Sequence, residues 1–282
     1  MIEPPNASAV ADILRIAADH DIPWTVVGAG SNLLVLDGGI EGIVLRIGDA
    51  LSHLAVEGNV IRCEAGAPLA AVARLAAEHS LAGLEMLSEI PGTIGGALYM
   101  NAGAYGQQIS DTFASALLAD PVSGLSEVGP EELALSYRSS VLQDSPRVVC
   151  GITLCMRSIQ DSNRLFAAME EKRALRASKY PQEWPNCGSV FKRVPDEVAL
   201  AFQETHNGQT PHPGYLIESS GLKGERRGGC VISEKHANFI INTGGGTAAD
   251  FLALMRLAQE RVEEMYGIRL VPEVRIVGRD RN

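Results

Sequence analysis

Between Ser8 and His20 the apolar residues Val10, Ile13, Leu14 and Ala17 recur at three-to-four spacing, which predicts a helix burying one stripe. Short apolar runs follow at Trp24–Val27, Leu33–Leu36 and Ile43–Ile47, each bounded by glycine or aspartate, and they predict strands. Val60–Ala65 predicts another strand, and Pro68 suits the first turn of a helix running to His79. Further strands are expected at Ala114–Ala119, Gly124–Val128 and Val148–Met156. A long charged helix is expected over Ser162–Ser178, and three prolines make Lys179–Pro195 a loop. Gly214–Gly221 reads as a short helix stopped by glycine, and Phe239–Asn242 as a strand. Thr247-Ala248-Ala249-Asp250 is a capping box that opens a helix to Tyr266, and Val274–Val277 alternates as a strand does. Strands dominate the first half and the two types mix in the second, so an α+β fold is expected, with Arg157–Asn163 as the linker. No repeat of fixed period and no low-complexity run interrupts the pattern.

One stretch departs from it. Pro91–Gly106 holds five glycines and no charged residue. It is too short and too broken to span a membrane, and an ordinary helix or strand is not expected to carry that glycine load. Two readings fit. Dense glycine lets backbone approach a ligand, and turns of this kind present N–H groups to anions, so the stretch forms the wall of a site for a large phosphate-bearing molecule. Alternatively, it makes two tight turns in a packed core.

Composition narrows the partners. The 282 residues are 46% hydrophobic, enough for a sizeable core, and the formal net charge is −10. The basic stripe of a nucleic-acid binder is missing; the longest basic cluster is Lys223-Gly224-Glu225-Arg226-Arg227. Met1-Ile2-Glu3-Pro4-Pro5 has no basic or apolar leader pattern. The five cysteines are scattered without a C-x-x-C, and no H-E-x-x-H occurs, so neither a disulfide framework nor a metal site is expected. A reducing cytoplasm, with no membrane and no nucleic-acid partner, is the setting these features suggest.

Gly28-Ala29-Gly30-Ser31-Asn32 is not a dinucleotide fingerprint, because Leu33 stands where a third glycine belongs and a strand follows rather than a helix. Strand, glycine turn with two small polar residues, strand is a pattern that suits either a pyrophosphate cradle or a simple hairpin. Gly28–Val35, Ile90–Ala97 and Asn101–Gly106 resemble the UDP-N-acetylenolpyruvoylglucosamine reductases. So do Tyr137-Arg138-Ser139-Ser140, Gly188-Ser189-Val190-Phe191-Lys192, Gly214–Glu218, His236–Asn242 and Pro272-Glu273-Val274. The motifs span nearly the whole chain in the family's order, and the length is that of the branch without an extra substrate-covering insertion.

The resemblance implies a flavoenzyme of peptidoglycan precursor synthesis, with non-covalent FAD, NADPH as reductant and a UDP-sugar as substrate. Its fold would be the FAD-binding region of the vanillyl-alcohol-oxidase type over residues 1–157, in two parts divided near residue 50. A smaller α+β substrate-binding domain would occupy 158–282. The family's opening Thr-x-Arg-x-Gly-Gly-x-Ala does not precede the first helix, so the first strand of the FAD region is expected to be missing. Cofactor contacts are expected from Gly28, Ala29, Gly30, Ser31, Asn32, Pro91, Gly92, Thr93, Gly95, Gly96, Asn101 and Gly103.

By motif match Ser189 is the proton donor, Arg138 an electrostatic stabiliser and Glu273 a second acid. This suits the chemistry, because hydride addition to an alkene leaves negative charge beside the substrate carboxylate, where a guanidinium fork and a protonated carboxyl of raised pKa stabilise it. Read alone, Ser189 is a turn serine, Arg138 a surface arginine and Glu273 a strand-end charge. Tyr105, Lys179, Lys192 and Asn238 are expected on the substrate side, although Lys179 alone reads as a solvated lysine at a helix end. Arg193-Val194 replaces the family's Asn-Pro, Cys187 its alanine and Val271 a frequent glutamate. The alternatives are another flavin oxidoreductase of the same fold and a non-catalytic nucleotide-binding relative.

Overall fold

The structure is a computed structural model that describes residues 1–281. The chain forms two compact units, Met1–Gly30 with Glu41–Arg176, and Ser31–Ile40 with Ala177 onward. It therefore leaves the first unit inside the glycine turn, returns ten residues later, and leaves again within the long charged helix Asn163–Lys179.

The first unit is built on a five-stranded antiparallel sheet. Its order is Gly124–Val128, Phe113–Asp120, Val148–Cys155, Val60–Glu64, Leu54–Glu57. Trp24–Val27 and Ile43–Arg46 form a separate parallel pair, extended by a bridge from Ile2 to Leu45. The helix Ala7–Asp19 is opened by Asn6, whose side chain accepts from Ala9 N, and buries Val10, Leu14 and Ala17 as the spacing predicts. Helix Leu69–Glu78 buries Leu69, Val72, Ala73 and Ala76 against the same core, with Ile61, Leu84, Leu87, Ile94 and Leu118.

The second unit has its own core. Helix Ala248–Tyr266, opened by the Thr247–Asp250 capping box and closed by Gly267 at φ +66°, buries Phe251, Leu254, Met255, Ala258 and Val262. The Asp37 carboxylate accepts from the N–H groups of Ala248 and Ala249, satisfying donors at the positive end of that helix. An antiparallel three-strand sheet (Arg226–Arg227, Cys230–Ile232, Ile240–Asn242) and the parallel pair Leu33–Val35 with Arg275–Val277 complete the unit. Helices Asp196–Thr205 and Pro213–Ser219 pack Phe202, Leu216 and Ile217 into it.

Two expectations are corrected here. The strands flanking the glycine turn do not form a hairpin: Trp24–Val27 pairs with Ile43–Arg46, and Leu33–Val35 with Arg275–Val277. The glycine-rich stretch does contain a helix, Ile94–Tyr99. Thr93 caps it, its Oγ1 accepting from Gly96 N at 3.3 Å. Gly95 is tolerated because it lets the helix lie against the Val60–Glu64 strand end; a Cβ there would come within 2.8 Å of Ala65 Cβ and 2.9 Å of Ala65 O. Tertiary approach outweighs a propensity cost of about 1 kcal/mol.

Among the described residues no helix is long and apolar enough to cross a membrane. All five cysteines are free; Cys63, Cys150, Cys187 and Cys230 are buried and Cys155 is exposed. Burial pushes the thiols of Cys63, Cys150 and Cys187 up to about 12 and that of Cys230 up to about 11. A maleimide at neutral pH is therefore expected to label Cys155 alone in the folded protein, as peptide mapping would show. Rapid labelling of the other four without denaturant would contradict the packing.

Candidate functional site

In the first unit the two glycine motifs meet. Gly28 lies against Thr93 so closely that a Cβ would sit 2.7 Å from Thr93 Oγ1. The N–H groups of Gly28, Ala29 and Gly30 donate to no other group among the described residues. The turn thus offers a run of unspent donors, with Gly30 at φ +71° giving the backbone a path closed to most side chains. Pro91 and Gly92 precede the Thr93 cap, and Gly92 at φ +138° turns the chain so that its carbonyl accepts from Leu69 N.

The helix C-terminal side is fixed by Asn101. It is fully buried at φ +40°, and both ends of its amide are used: Nδ2 donates to Ser136 O at 2.9 Å and Gln108 Oε1 at 3.3 Å, and Oδ1 accepts from Ser110 N at 3.1 Å. Gly103–Ala104 pairs with Gln107–Gln108, and Tyr105 (φ +51°) and Gly106 (φ +84°) make the connecting two-residue turn of the mirror-image type that strand twist favours. A Cβ on Gly103 would strike Gln107 O at 2.7 Å. Tyr105 is exposed at the tip, with Lys172 Nζ 5.0 Å above its ring.

Arg138 occupies another two-residue turn, of a different type. Ser136 and Ser139 exchange backbone hydrogen bonds at 3.1 Å around Tyr137 and Arg138, and Arg138 stands at φ +53°. A left-handed position costs a side-chain-bearing residue about 1–2 kcal/mol, and such positions cluster at functional sites. Three bonds hold the turn. Asn101 Nδ2 grips Ser136 O, Ser140 Oγ donates to Tyr99 O at 2.6 Å, and Gln143 Nε2 donates to Arg138 O at 3.1 Å. Arg138 Nη2 donates to Gly103 O at 2.8 Å, so the guanidinium is tied to the same glycine segment.

In the second unit Ser189 and Glu273 lie on adjacent segments. Glu273 N donates to Val190 O at 2.7 Å, beside a bridge between Phe191 and Pro272. The Ser189 hydroxyl is half-buried and bonds to nothing among the described residues. Gly188 before it, at φ +78°, runs close to Ser31 O. Asn32 Nδ2 donates to Glu273 O at 3.1 Å and Asn32 O accepts from Arg275 N at 3.0 Å, so Asn32 ties the start of the second unit to the Glu273 strand. Lys192 is half-buried, its N–H donating to Val271 O at 2.8 Å, and Lys179 is exposed at a helix end.

Asn238 is buried and fully engaged. Its Oδ1 accepts from Phe191 N and its Nδ2 donates to Phe191 O, both at 3.0 Å, and its carbonyl accepts from Val190 N at 2.8 Å. Its own N–H donates to His236 Nδ1 at 3.2 Å. That imidazole stacks on Tyr180 with centroids 5.2 Å apart, and burial, aided by Lys223 and Lys179, holds its pKa below the ordinary histidine value. The neutral ring keeps the acceptor that Asn238 needs. His236 is a structural partner that the motifs did not single out for a role, and Asn32, expected as a cofactor contact, spends its Nδ2 and its carbonyl on the Glu273 segment. The Asn32 bond to Glu273 joins positions 241 residues apart, and no local spacing marks it.

Known proteins share this arrangement of motifs. Residues 180–277 match the family described as "UDP-N-acetylenolpyruvoylglucosamine reductase, C-terminal domain", and residues 1–125 match "FAD binding domain". A UDP-N-acetylenolpyruvoylglucosamine reductase of Rubrobacter xylanophilus is 41% identical over 99% of this chain and 88% of its own. One from Bacillus velezensis is 37% identical over all of this chain and 88% of its own. The crystal structure of the Thermus caldophilus enzyme covers 93% of this chain and 88% of that chain, with TM-score 0.75 and 31% identity. The α+β class and the FAD-binding region expected from the motifs are therefore the ones found. With matches at this identity along its whole length, the chain belongs to the UDP-N-acetylenolpyruvoylglucosamine reductase family.

Proposed function

We propose that this chain performs the NADPH-dependent, FAD-mediated reduction of UDP-N-acetylenolpyruvoylglucosamine to UDP-N-acetylmuramate, a cytoplasmic step of peptidoglycan precursor synthesis. The observation that carries the reading is the meeting of the two glycine motifs in the first unit, where Gly28 backs onto the Thr93 cap and three consecutive N–H groups are unspent. Consecutive free backbone donors on a turn without bulky side chains suit a diphosphate, so the residues present fit FAD. The chemistry supplied by bound FAD is hydride transfer, from NADPH and then to the enolpyruvyl alkene.

The protein's own residues do the rest. Arg138, held at a fixed turn, forks onto the substrate carboxylate and stabilises the charge that develops there. Ser189 gives its hydroxyl proton to the substrate carbon, and Glu273 stands beside it as the second acid partner. Hydride plus proton saturates the double bond, and the serine recovers its proton from solvent. Tyr105, Lys179 and Lys192 contribute on the substrate side, and neither cradle contains a histidine or cysteine to bond a flavin ring.

The cofactor assignment predicts that Gly28→Ala loses bound flavin. The new methyl displaces Thr93 Oγ1 and with it the cap on Gly96 N. The variant should fold, since a lost cap costs only about 1 kcal/mol, yet purify with a weakened visible flavin band. Acid precipitation of the wild-type protein should leave its FAD in the supernatant. A Gly28→Ala protein that retains a full flavin complement would contradict the cradle.

A further inference from the structure

We propose that Asn238 is a positioning residue for proton donation, setting where the Ser189 hydroxyl stands relative to Glu273, rather than a group that touches substrate; this rests on the assignment of Ser189 as donor. The segment that carries Ser189 has no regular secondary structure of its own, since Tyr180–Pro195 is a loop with three prolines. A hydroxyl on such a segment is placed only as well as the neighbouring peptides are fixed. The three peptides that follow Ser189 are fixed by the same residue. Asn238 O accepts from Val190 N at 2.8 Å, and the two ends of its side-chain amide close a ring on the N–H and C=O of Phe191 at 3.0 Å each.

Three bonds from one buried residue hold three successive peptides, leaving little freedom in the backbone that aims Ser189. The clamp reaches Glu273 as well. With its N–H held by Asn238, Val190 uses its carbonyl to accept from Glu273 N at 2.7 Å, so one residue sets the register of donor and second acid. Asn238 is itself held, its N–H on His236 Nδ1 and that ring between Tyr180 and Phe239. With Oδ1, Nδ2 and O all spent on the loop, the amide has no end turned to a ligand.

Only asparagine makes this ring without a penalty. Aspartate keeps the acceptor for Phe191 N but turns a carboxylate oxygen onto Phe191 O, where a carbonyl meets an anion instead of an N–H. Alanine removes both side-chain bonds and leaves the backbone bond to Val190. Misplacing a reacting group by about 1 Å can cost about 10²-fold, so both variants should slow the step that uses Ser189.

The test is a cycle of four holoenzymes, wild type, Asn238→Ala, Ser189→Ala and the double variant, with Asn238→Asp as a second probe. Rapid mixing follows flavin reduction by NADPH, and then reoxidation by the enolpyruvyl substrate. Asn238→Ala and Asn238→Asp should reduce flavin at the wild-type rate and reoxidise about 10²-fold more slowly, with little change in the substrate concentration at half-saturation. In the Ser189→Ala background, Asn238→Ala should cost less than about threefold further, because the group it positions is gone. A full additional loss in that background, or raised half-saturation at an unchanged limiting rate, overturns the proposal and makes Asn238 a substrate contact. Wild-type reoxidation in Asn238→Asp also overturns it, even where Asn238→Ala does not fold. A Ser189→Ala enzyme that reoxidises normally sinks the donor assignment itself, a result read in its own corner of the cycle.

Discussion

Ser189→Ala should leave NADPH oxidation and FAD content unchanged while reduction of the enolpyruvyl substrate falls by about 10²–10⁴-fold, the range over which a positioned general acid contributes. The asymmetry follows from timing. The hydroxyl is needed only once the alkene has received hydride, so the flavin-reducing half of the cycle never meets it. The geometry makes the loss selective: the hydroxyl bonds to nothing among the described residues, so removing it breaks no structural contact, and a half-buried serine without partners contributes little to stability. Ser189→Cys keeps a donor of similar reach and should recover part of the rate. Equal slowing of both half-reactions at normal thermal stability would remove Ser189 from the role and move the proton to Glu273.

The second large effect is at Arg138. Replacement by alanine should lower reoxidation by the enolpyruvyl substrate by about 10²–10³-fold, as loss of one preorganised donor does where charge develops. Lysine keeps the charge but not the fork, and should restore only a fraction. Glycine is the informative substitution. It relieves the φ of +53°, which costs a side-chain-bearing residue about 1–2 kcal/mol, and it forfeits the bond to Gly103 O at 2.8 Å, worth about 0.5–1.5 kcal/mol. Glycine also removes the guanidinium from above the Tyr137 ring, and it restores no donor, so the rate of Arg138→Gly should collapse as far as that of Arg138→Ala. A marked loss of stability with a near-normal rate would show that Arg138 serves the turn instead of the reaction.

Where an element carries its own signals, the sequence shows it. Ala7–Asp19, Leu69–Glu78 and Ala248–Tyr266 announce themselves by spacing and caps, as do four of the five strands of the antiparallel sheet by their alternation and apolar runs. Asp196–Thr205 escapes because Phe202 is its only buried side chain, so it has no apolar stripe to read. Leu54–Glu57 escapes because its apolar run, Leu54-Ala55-Val56, is only three residues long, short of the run that marks a strand. Helix Ile94–Tyr99 is hidden by glycines whose reason lies elsewhere in the chain, at Ala65.

The candidate site divides in the same way. The glycine turn is legible because composition itself suits backbone donors to anions. The placement of Arg138, Ser189 and Glu273 is not, because it depends on Asn101, Asn238 and Asn32. Two of those link positions 47 and 241 residues apart, beyond the reach of any local pattern. All three asparagines use their amides within the protein, on backbone and, for Asn101, also on Gln108 Oε1, and in sequence such residues look no different from ones that face a ligand.

The central claim is that one flavin site takes hydride from NADPH and gives it to an enolpyruvyl ether. The most direct measurement is NADPH consumption by the purified holoenzyme without oxygen, with and without UDP-N-acetylenolpyruvoylglucosamine, the product being identified by mass. The account predicts no turnover beyond reduction of the enzyme's own flavin until that substrate is added, and then one UDP-N-acetylmuramate for each NADPH consumed. Continued NADPH oxidation that ignores the enolpyruvyl substrate, or consumption of that substrate without a reduced product, would contradict it.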